Sequence, residues 1–362
     1  MSAPLVSVCL PSLNTFPFLE ERVDTILKQT HRNWEMLVVD SYSDDESWEF
    51  FEKLAQRDER VSIAQAPRGL YQSWNACIRR AQGKYVYIAT SDDTMAPDCL
   101  QKLTAALEAN GDCDLASCAL QAIDRDSRPL REHRWRDATV FAHWNPTLLE
   151  RQHVRLAPFD GLLHLTGYMV HLSVTQLLIR RSLFSRIGEF DGRWGPLGDR
   201  HWEMRAGLVA NTIHIPDTWA TWRVHAKNAT AALSYCSAEY AAMIEDMLAD
   251  AVEKCTPYLP AQVVTGLAES WLDASREMRS YYASLRRLPG FRKRRFQLSQ
   301  LFGSSQAARL ELAHRLQGNA KWAGRAPGEI QTWLESLGLG PVIRDGSVQR
   351  GPPGSQHSLV PA

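Results

Sequence analysis

The 362-residue chain has no excess of charge of either sign. Lys plus Arg and Asp plus Glu number 41 each, so no global field draws it to nucleic acid. Any charge-driven partner must be met by a local patch. A Cys-x-x-Cys pair is also missing. The seven cysteines, at 9, 77, 99, 113, 118, 236 and 255, are scattered, which reads as reduced core residues of a cytosolic protein with no zinc site. No stretch is apolar enough to span a membrane. The longest run without Asp, Glu, Lys or Arg, from Gly161 to Ile179, still holds His164, Thr166, His171, Ser173, Thr175 and Gln176, so it reads as interior backbone. The first residues lack the basic region and the long apolar core of a signal peptide. Two nucleotide-binding signatures are absent as well. Where a dinucleotide-binding fold places Gly-x-Gly-x-x-Gly, this chain has Leu10-Pro11-Ser12-Leu13-Asn14, and no Walker A sequence occurs. That loop is neither glycine-rich nor basic, which also argues against a sugar-phosphate nucleotidyltransferase.

What is present is ordinary globular material, 44% hydrophobic, arranged as alternating strands and helices. Apolar runs at 5–10, 36–39 and 61–64 read as short strands, each followed by a turn and an amphipathic segment. Connections this short predict a mostly parallel, right-handed α/β sheet. The stretch 85–93, Tyr-Val-Tyr-Ile-Ala-Thr-Ser-Asp-Asp, reads as a buried strand that delivers two adjacent carboxylates at its carboxyl end. Open α/β sheets keep their ligands at that edge. Two carboxylates side by side repel and cost desolvation, so an apolar strand has reason to present them together only where a cation waits. A hard divalent cation carrying a diphosphate meets that demand, and a solvated turn is the bland alternative.

The residues then carry a resemblance. Val6-Ser7-Val8-Cys9-Leu10-Pro11-Ser12-Leu13-Asn14, Gln29-Thr30, Trp34 to Asp40, Gly69 with Trp74-Asn75, and Ala81-x-Gly83-Lys84-Tyr85 leading to Ser91-Asp92-Asp93 and Pro97 together resemble family 2 glycosyltransferases in order and spacing. The resemblance covers residues 4–230. It implies the GT-A fold and an inverting transfer from a nucleotide-diphosphate sugar, a UDP-sugar first of all, to a glycan or lipid-linked acceptor in cell-surface polysaccharide synthesis. By position it implies that Pro11, Ser12 and Asn14 line the base pocket, that Asp40 faces the base, and that Arg68 contacts base or phosphate. Asp92 would face the ribose and Asp93 would hold the cation, Mn2+ or Mg2+. The chain departs from the family at Thr90, Ser41 and Gly198, where acids are usual. One fewer acid at Thr90 implies more water on the cation.

In the second half, Asp199 and Arg205 match the family's acid and the Arg six residues on, which implies Asp199 as the general base. A helix N-cap is the competing role for Asp199, and a turn residue the competing role for Asp191. Glu203 and Asp191 stand as substitutes for the base. The segment Trp222 to Asn228 resembles the family's basic and histidine stretch near the diphosphate, with His225 implied to complete the metal shell. Imidazole there favours manganese over magnesium. Arg134, Trp135, Arg136, His143, Trp144 and His153 read as an acceptor-side loop.

The expected domains are a GT-A unit at 1–232, divided into a nucleotide-binding half (1–114) and an acceptor-side half (115–232). A helical extension at 233–340 without further strands follows, then a disordered tail at 341–362. Arg276, Arg279, Arg286, Arg287 and Arg292 to Arg295, interleaved with Tyr281, Tyr282, Phe291 and Phe296, suit an anionic membrane surface or a polyanionic acceptor, or else a solvated helix face. A cytoplasmic enzyme, with peripheral membrane contact through Arg276 to Phe296, is the resulting expectation. A catalytically silent nucleotide-sugar-binding scaffold is its rival, favoured by Thr90 and Gly198.

Overall fold

A computed structural model describes residues 3–130, 139–165, 168–225, 238–267 and 327–346. Its centre is a nine-stranded sheet in the order β3-β2-β1-β4-β7-β5-β8-β6-β9. The strands are β1 (Val6–Ser12), β2 (Trp34–Asp40), β3 (Val61–Gln65), β4 (Tyr85–Ile88), β5 (Cys113–Ile123), β6 (His153–Arg155), β7 (Leu177–Arg180), β8 (Asn211–Arg223) and β9 (Ile343–Asp345).

The first four strands are parallel neighbours joined through helices Phe16–Leu27, Ser47–Arg57 and Leu70–Arg80. Side chains alternate across the sheet as a two-residue period requires. Val6, Val8, Leu10, Tyr85 and Tyr87 face one buried cluster with Leu19, Val23 and Leu103. Cys9, Val86 and Ile88 face the other, with Trp74, Cys77, Leu183 and Trp202. Burial on both faces is why these strands read as continuous apolar runs.

The expected mostly parallel sheet holds only in this half. β7 lies between β4 and β5 and runs antiparallel to both, β5 and β8 are parallel, and β6 and β9 add antiparallel edges. A four-residue apolar strand such as Leu177–Arg180 carries no directional signal, so its reversal is invisible in the sequence. β8 has Pro216 and a register shift opposite Cys118 and Ala119, the kind of irregularity at which a strand tolerates proline. The shift re-aims its final residues toward the end of β4.

Past residue 232, helix Ala238–Cys255 buries Ile244, Met247, Leu248 and Ala251 in the same cluster as the sheet. Contrary to the expectation of a disordered tail from 341, Ile343–Asp345 pairs with β6, and Val342 is buried beside it. The glycine and proline content of the stretch after 340 masks this short edge strand. The basic and aromatic stretch Arg276 to Phe296, Arg134 to Arg136 and Cys236 lie outside the described residues, as does the side chain of His143. Among the described residues no helix is long and apolar enough to cross a membrane, and the six cysteines are free and buried.

Helices Phe159–Leu165 and Gly198–Val209 meet backbone to backbone. A Cβ on Gly161 would lie 2.3 Å from the Leu208 nitrogen, and one on Gly207 would lie 2.5 Å from the Gly161 nitrogen. Backbone cannot yield as a flexible side chain does. Gly207→Ala is therefore expected to cost about 1–3 kcal/mol through overpacking, read as a lowered urea midpoint with unchanged slope. A midpoint equal to wild type would contradict this packing.

Candidate active site

The carboxyl ends of β1, β2 and β3 form a hydrogen-bonded rim. Asp40 ends β2 fully buried, and its carboxylate accepts from the Ser43 N–H (2.8 Å) and the Ser43 hydroxyl (2.5 Å), closing a tight loop. Pro11 and Ser12 pair with Val39 and Asp40 in the last register positions of β1. Asn14 ties the two loops together: its N–H donates to Ser43 Oγ and its side-chain oxygen accepts from the Asp44 N–H, both at 2.9 Å. Arg68 closes the rim from the β3 side, donating to the Tyr42 carbonyl at 3.3 Å with Asp44 3.5 Å away. Pro11, Ser12, Asn14, Asp40 and Arg68, the residues expected to meet the nucleotide, thus stand together.

β4 stops at Ile88, and the two acids follow in a turn at the same edge. They differ. Asp93 is 2% exposed, and both of its oxygens are engaged: one accepts from the Thr90 hydroxyl, the other from the Arg223 N–H at 2.6 Å. Burial and the neighbouring Asp92 charge push its carboxyl up to about 7. Asp92 turns outward, and its Oδ2 lies 2.9 Å from His225 Nε2. The His225 ring stacks on Phe18, centroids 5.5 Å apart. Arg223 is buried beneath the pair. Its guanidinium donates to the Asp92, Asp124 and Arg125 carbonyls, to Ser127 Oγ and to Glu21, so it fixes the turn that carries both acids. Asp93, expected to hold the cation directly, is thus set behind the more accessible Asp92 and His225.

Asp199 lies in the first turn of helix Gly198–Val209, but the N-cap position belongs to Leu197 and Asp199 is not the cap. Its backbone N–H donates to Tyr71 Oη at 3.0 Å, and that hydroxyl donates on to the Pro196 carbonyl at 3.2 Å. Tyr71 opens helix Leu70–Arg80, directly after β3, so this contact brings Asp199 to the sheet edge that carries the nucleotide rim and the two acids. Burial raises the Asp199 carboxyl above the ordinary range and strengthens it as a base. Gly198 has a local reason. A Cβ there would lie 2.5 Å from the Tyr71 ring and 2.6 Å from the Asp191 carbonyl, so the acid usual in the family has no room. Tyr71 carries no motif and escapes a reading of the sequence.

Other sequence candidates are structural. Asp191 caps the turn Gly192–Leu197 and is bound by Arg193 at 2.6 and 2.8 Å, which depresses its carboxyl to about 2 and makes it a poor base. Arg205 is buried and donates to the Ile187 and Glu189 carbonyls. Of the expected acceptor-side loop, Trp144 packs on Phe159 and His153 is buried, bonded to the Arg151 carbonyl and Arg155. His153 belongs to the core and Trp144, half-buried, packs against it, because the residues around them form short buried elements.

Glu203 lies inside a buried group with His164 Nε2 at 3.5 Å and His171 Nδ1 at 3.8 Å. The three offer ligand atoms within 4.8 Å of one another. Arg155, paired with Asp160, places Nη2 3.3 Å from His171 Nε2. As a donor it makes that nitrogen the acceptor, which leaves the proton on Nδ1, facing Glu203. A protonated Nδ1 beside a guanidinium opposes a metal ion, so the group reads as a buried polar cluster of the core.

These geometries set the comparisons in context. The model of the family described as "Glycosyl transferase family 2" matches residues 7–188, half of the chain. The chain belongs to glycosyl transferase family 2. It is 31% identical over 186 residues to the uncharacterized glycosyltransferase EpsJ of Bacillus subtilis (strain 168), covering 51% of this chain and 50% of that protein. It is 33% identical over 130 residues to TuaG of the same organism, named for teichuronic acid biosynthesis, covering 35% and 51%. The match therefore spans about half the length of these two relatives. Among solved structures, residues 1–349 of S. aureus TarS in complex with UDP-GlcNAc superpose with a TM-score of 0.55 at 14% identity, over 87% of this chain and 92% of that one. The fold is GT-A.

Four of the buried histidines, His153, His164, His171 and His214, are held well below their ordinary value of 6.5 by burial, His153 at about 3. The unfolded chain takes up their protons below pH 6.5 while the native protein does not, so they remove stability as pH falls. Asp93, Asp199 and Glu203 are raised and act in the opposite sense, but their effect fades near pH 4, where acids in the unfolded chain also protonate. The free energy of urea unfolding is expected to fall from pH 6.5 to 4, as the unfolded chain takes up the imidazole protons that the native protein excludes. A flat or rising profile would contradict the burial of these imidazoles as neutral groups.

Proposed function

We propose that the chain transfers a sugar from a nucleotide-diphosphate donor, a UDP-sugar, to an acceptor hydroxyl in surface polysaccharide or glycan synthesis, with inversion at the sugar carbon. The observation that carries this reading is the convergence, at one sheet edge, of a base-strengthened Asp199, the outward Asp92–His225 pair and the rim of Ser12, Asn14, Asp40 and Arg68. Family membership supports the transfer. The donor class draws support from TarS, a protein of the same fold solved with UDP-GlcNAc, and the setting from TuaG, named for teichuronic acid biosynthesis.

The donor set suits a divalent cation. Asp92 Oδ2 and His225 Nε2 stand 2.9 Å apart, close enough for one cation to meet both an oxygen and a nitrogen donor. Asp92 and His225 would hold the ion, with the buried Asp93 carboxyl behind them. Mixed oxygen and imidazole donors favour Mn2+ over Mg2+. When bound, the ion supplies neutralisation of charge on the leaving diphosphate.

The remaining steps belong to the chain's own groups. The rim residues and Asp92 bind and orient the nucleoside. Asp199 accepts the proton of the acceptor hydroxyl as that oxygen forms its bond to the anomeric carbon. The bond from that carbon to the diphosphate oxygen breaks on the opposite face, and its electron pair departs with the nucleoside diphosphate. Tyr71 is a positioning residue that holds the backbone of Asp199. The acceptor would be a glycan or lipid-linked hydroxyl. Peripheral membrane contact through Arg276 to Phe296 rests on composition.

Asp199→Asn tests the reading. Asn is nearly isosteric and accepts the Arg200 N–H that Asp199 Oδ1 now accepts at 2.7 Å, so the helix start survives while basicity is lost. Transfer is expected to fall by about 10²-fold or more, with nucleotide-sugar affinity almost unchanged. Near wild-type transfer would refute the base assignment, and loss of donor binding together with stability would favour a scaffold.

A further inference from the structure

Among the described residues, three that are not glycine adopt the left-handed backbone region: Asn14 (φ 54°), Tyr42 (φ 55°) and Ser127 (φ 64°). All three lie in loops around the candidate site. Asn14 and Ser127 use short polar side chains there, Asn14 bonding Asp44 and Ser127 accepting from Arg223. Tyr42 has no such reason. A bulky residue in this region costs about 1–2 kcal/mol, and such strain persists only where the surroundings over-determine it.

Here the surroundings do so. Asp40 holds both the N–H and the hydroxyl of Ser43 on one side of Tyr42, Arg68 holds the Tyr42 carbonyl, and Asn14 braces Ser43 and Asp44. The ring that this scaffold presents is 53% exposed. Its phenol makes no hydrogen bond and its face meets no other ring among the described residues. It stands two residues beyond Asp40, at the sheet edge where Leu13 (41% exposed) and Leu70 (43%) leave further apolar surface open. A rigid aromatic face held at energetic cost beside a polar rim suits a flat, aromatic ligand group.

We propose that Tyr42 is the platform on which the nucleobase of the donor stacks. The inference rests on the donor reading above and adds a binding residue to it. Arg68 and Asp40 then act twice, as rim groups and as the clamps that hold the ring in place.

Calorimetry with UDP and with inorganic pyrophosphate, both in Mn2+, tests this on the full chain and on two variants. Tyr42→Asn removes the ring but keeps a residue that tolerates the left-handed region, and Tyr42→Phe keeps the ring. Base–aromatic stacking is worth about 1–3 kcal/mol, so Tyr42→Asn is expected to bind UDP roughly tenfold or more weakly. Its pyrophosphate affinity should match wild type and its melting temperature should be no lower, since Asn relieves the backbone strain, and Tyr42→Phe should bind UDP within about twofold of wild type. Equal UDP affinity in Tyr42→Asn, or equal losses for UDP and pyrophosphate, would overturn the platform role and leave the donor reading intact. Wild type that binds none of UDP, GDP, CDP and dTDP would overturn the donor reading itself, and the platform with it.

Discussion

The structure turns on two adjacent carboxylates at the end of an apolar strand, a placement that electrostatics opposes. The conflict is resolved by giving the acids different surroundings. Asp93 goes inward, where Thr90 and the Arg223 N–H take its oxygens and burial raises its pKa toward neutrality. Asp92 goes outward, where its Oδ2 meets His225 Nε2. This explains why β8 is thirteen residues long and bulged: its final residue must supply both a backbone donor to Asp93 and a guanidinium that pins the turn. Thr90, where an acid is usual, fits the same account, since a third carboxylate beside Asp93 would replace a donor with another repelling charge.

Tyr71 joins the start of the helix that carries Asp199 to this centre. The Tyr71 hydroxyl accepts from the Asp199 N–H, and its ring fills the space a side chain on Gly198 would need. The missing acid at Gly198 is therefore a packing consequence and gives the scaffold reading no support. The close crossing of Gly161 and Gly207 holds the far end of the same helix, so both ends of the element that carries Asp199 are fixed by contacts that tolerate little added volume.

Much of this was legible in the sequence. The parallel half was readable because strands buried on both faces must be apolar throughout, and Asp40, Asp92 and Asp199 stood out as acids at strand or helix ends. The direction of β7 was not, because Leu177–Arg180 reads the same either way. The roles of Arg223 and Tyr71 were hidden for a different reason: one acts partly through a backbone N–H that every residue but proline carries, and the other through a hydroxyl aimed at a backbone 128 positions away. His153 and Trp144 misled because the residue types of a binding loop also fill a core of short elements. Tyr42 could not be singled out, since a left-handed backbone at a tyrosine leaves no mark in the sequence.

The claim on which the account rests is that the end of β4 is a cation and diphosphate site with His225 as a ligand. Pulsed electron paramagnetic resonance of Mn2+ added with UDP tests it most directly. The account predicts a bound ion whose spectrum carries modulation from a directly coordinated imidazole nitrogen, lost in His225→Gln. Mn2+ that stays free in the presence of UDP, or a bound ion with no nitrogen coupling, would contradict it.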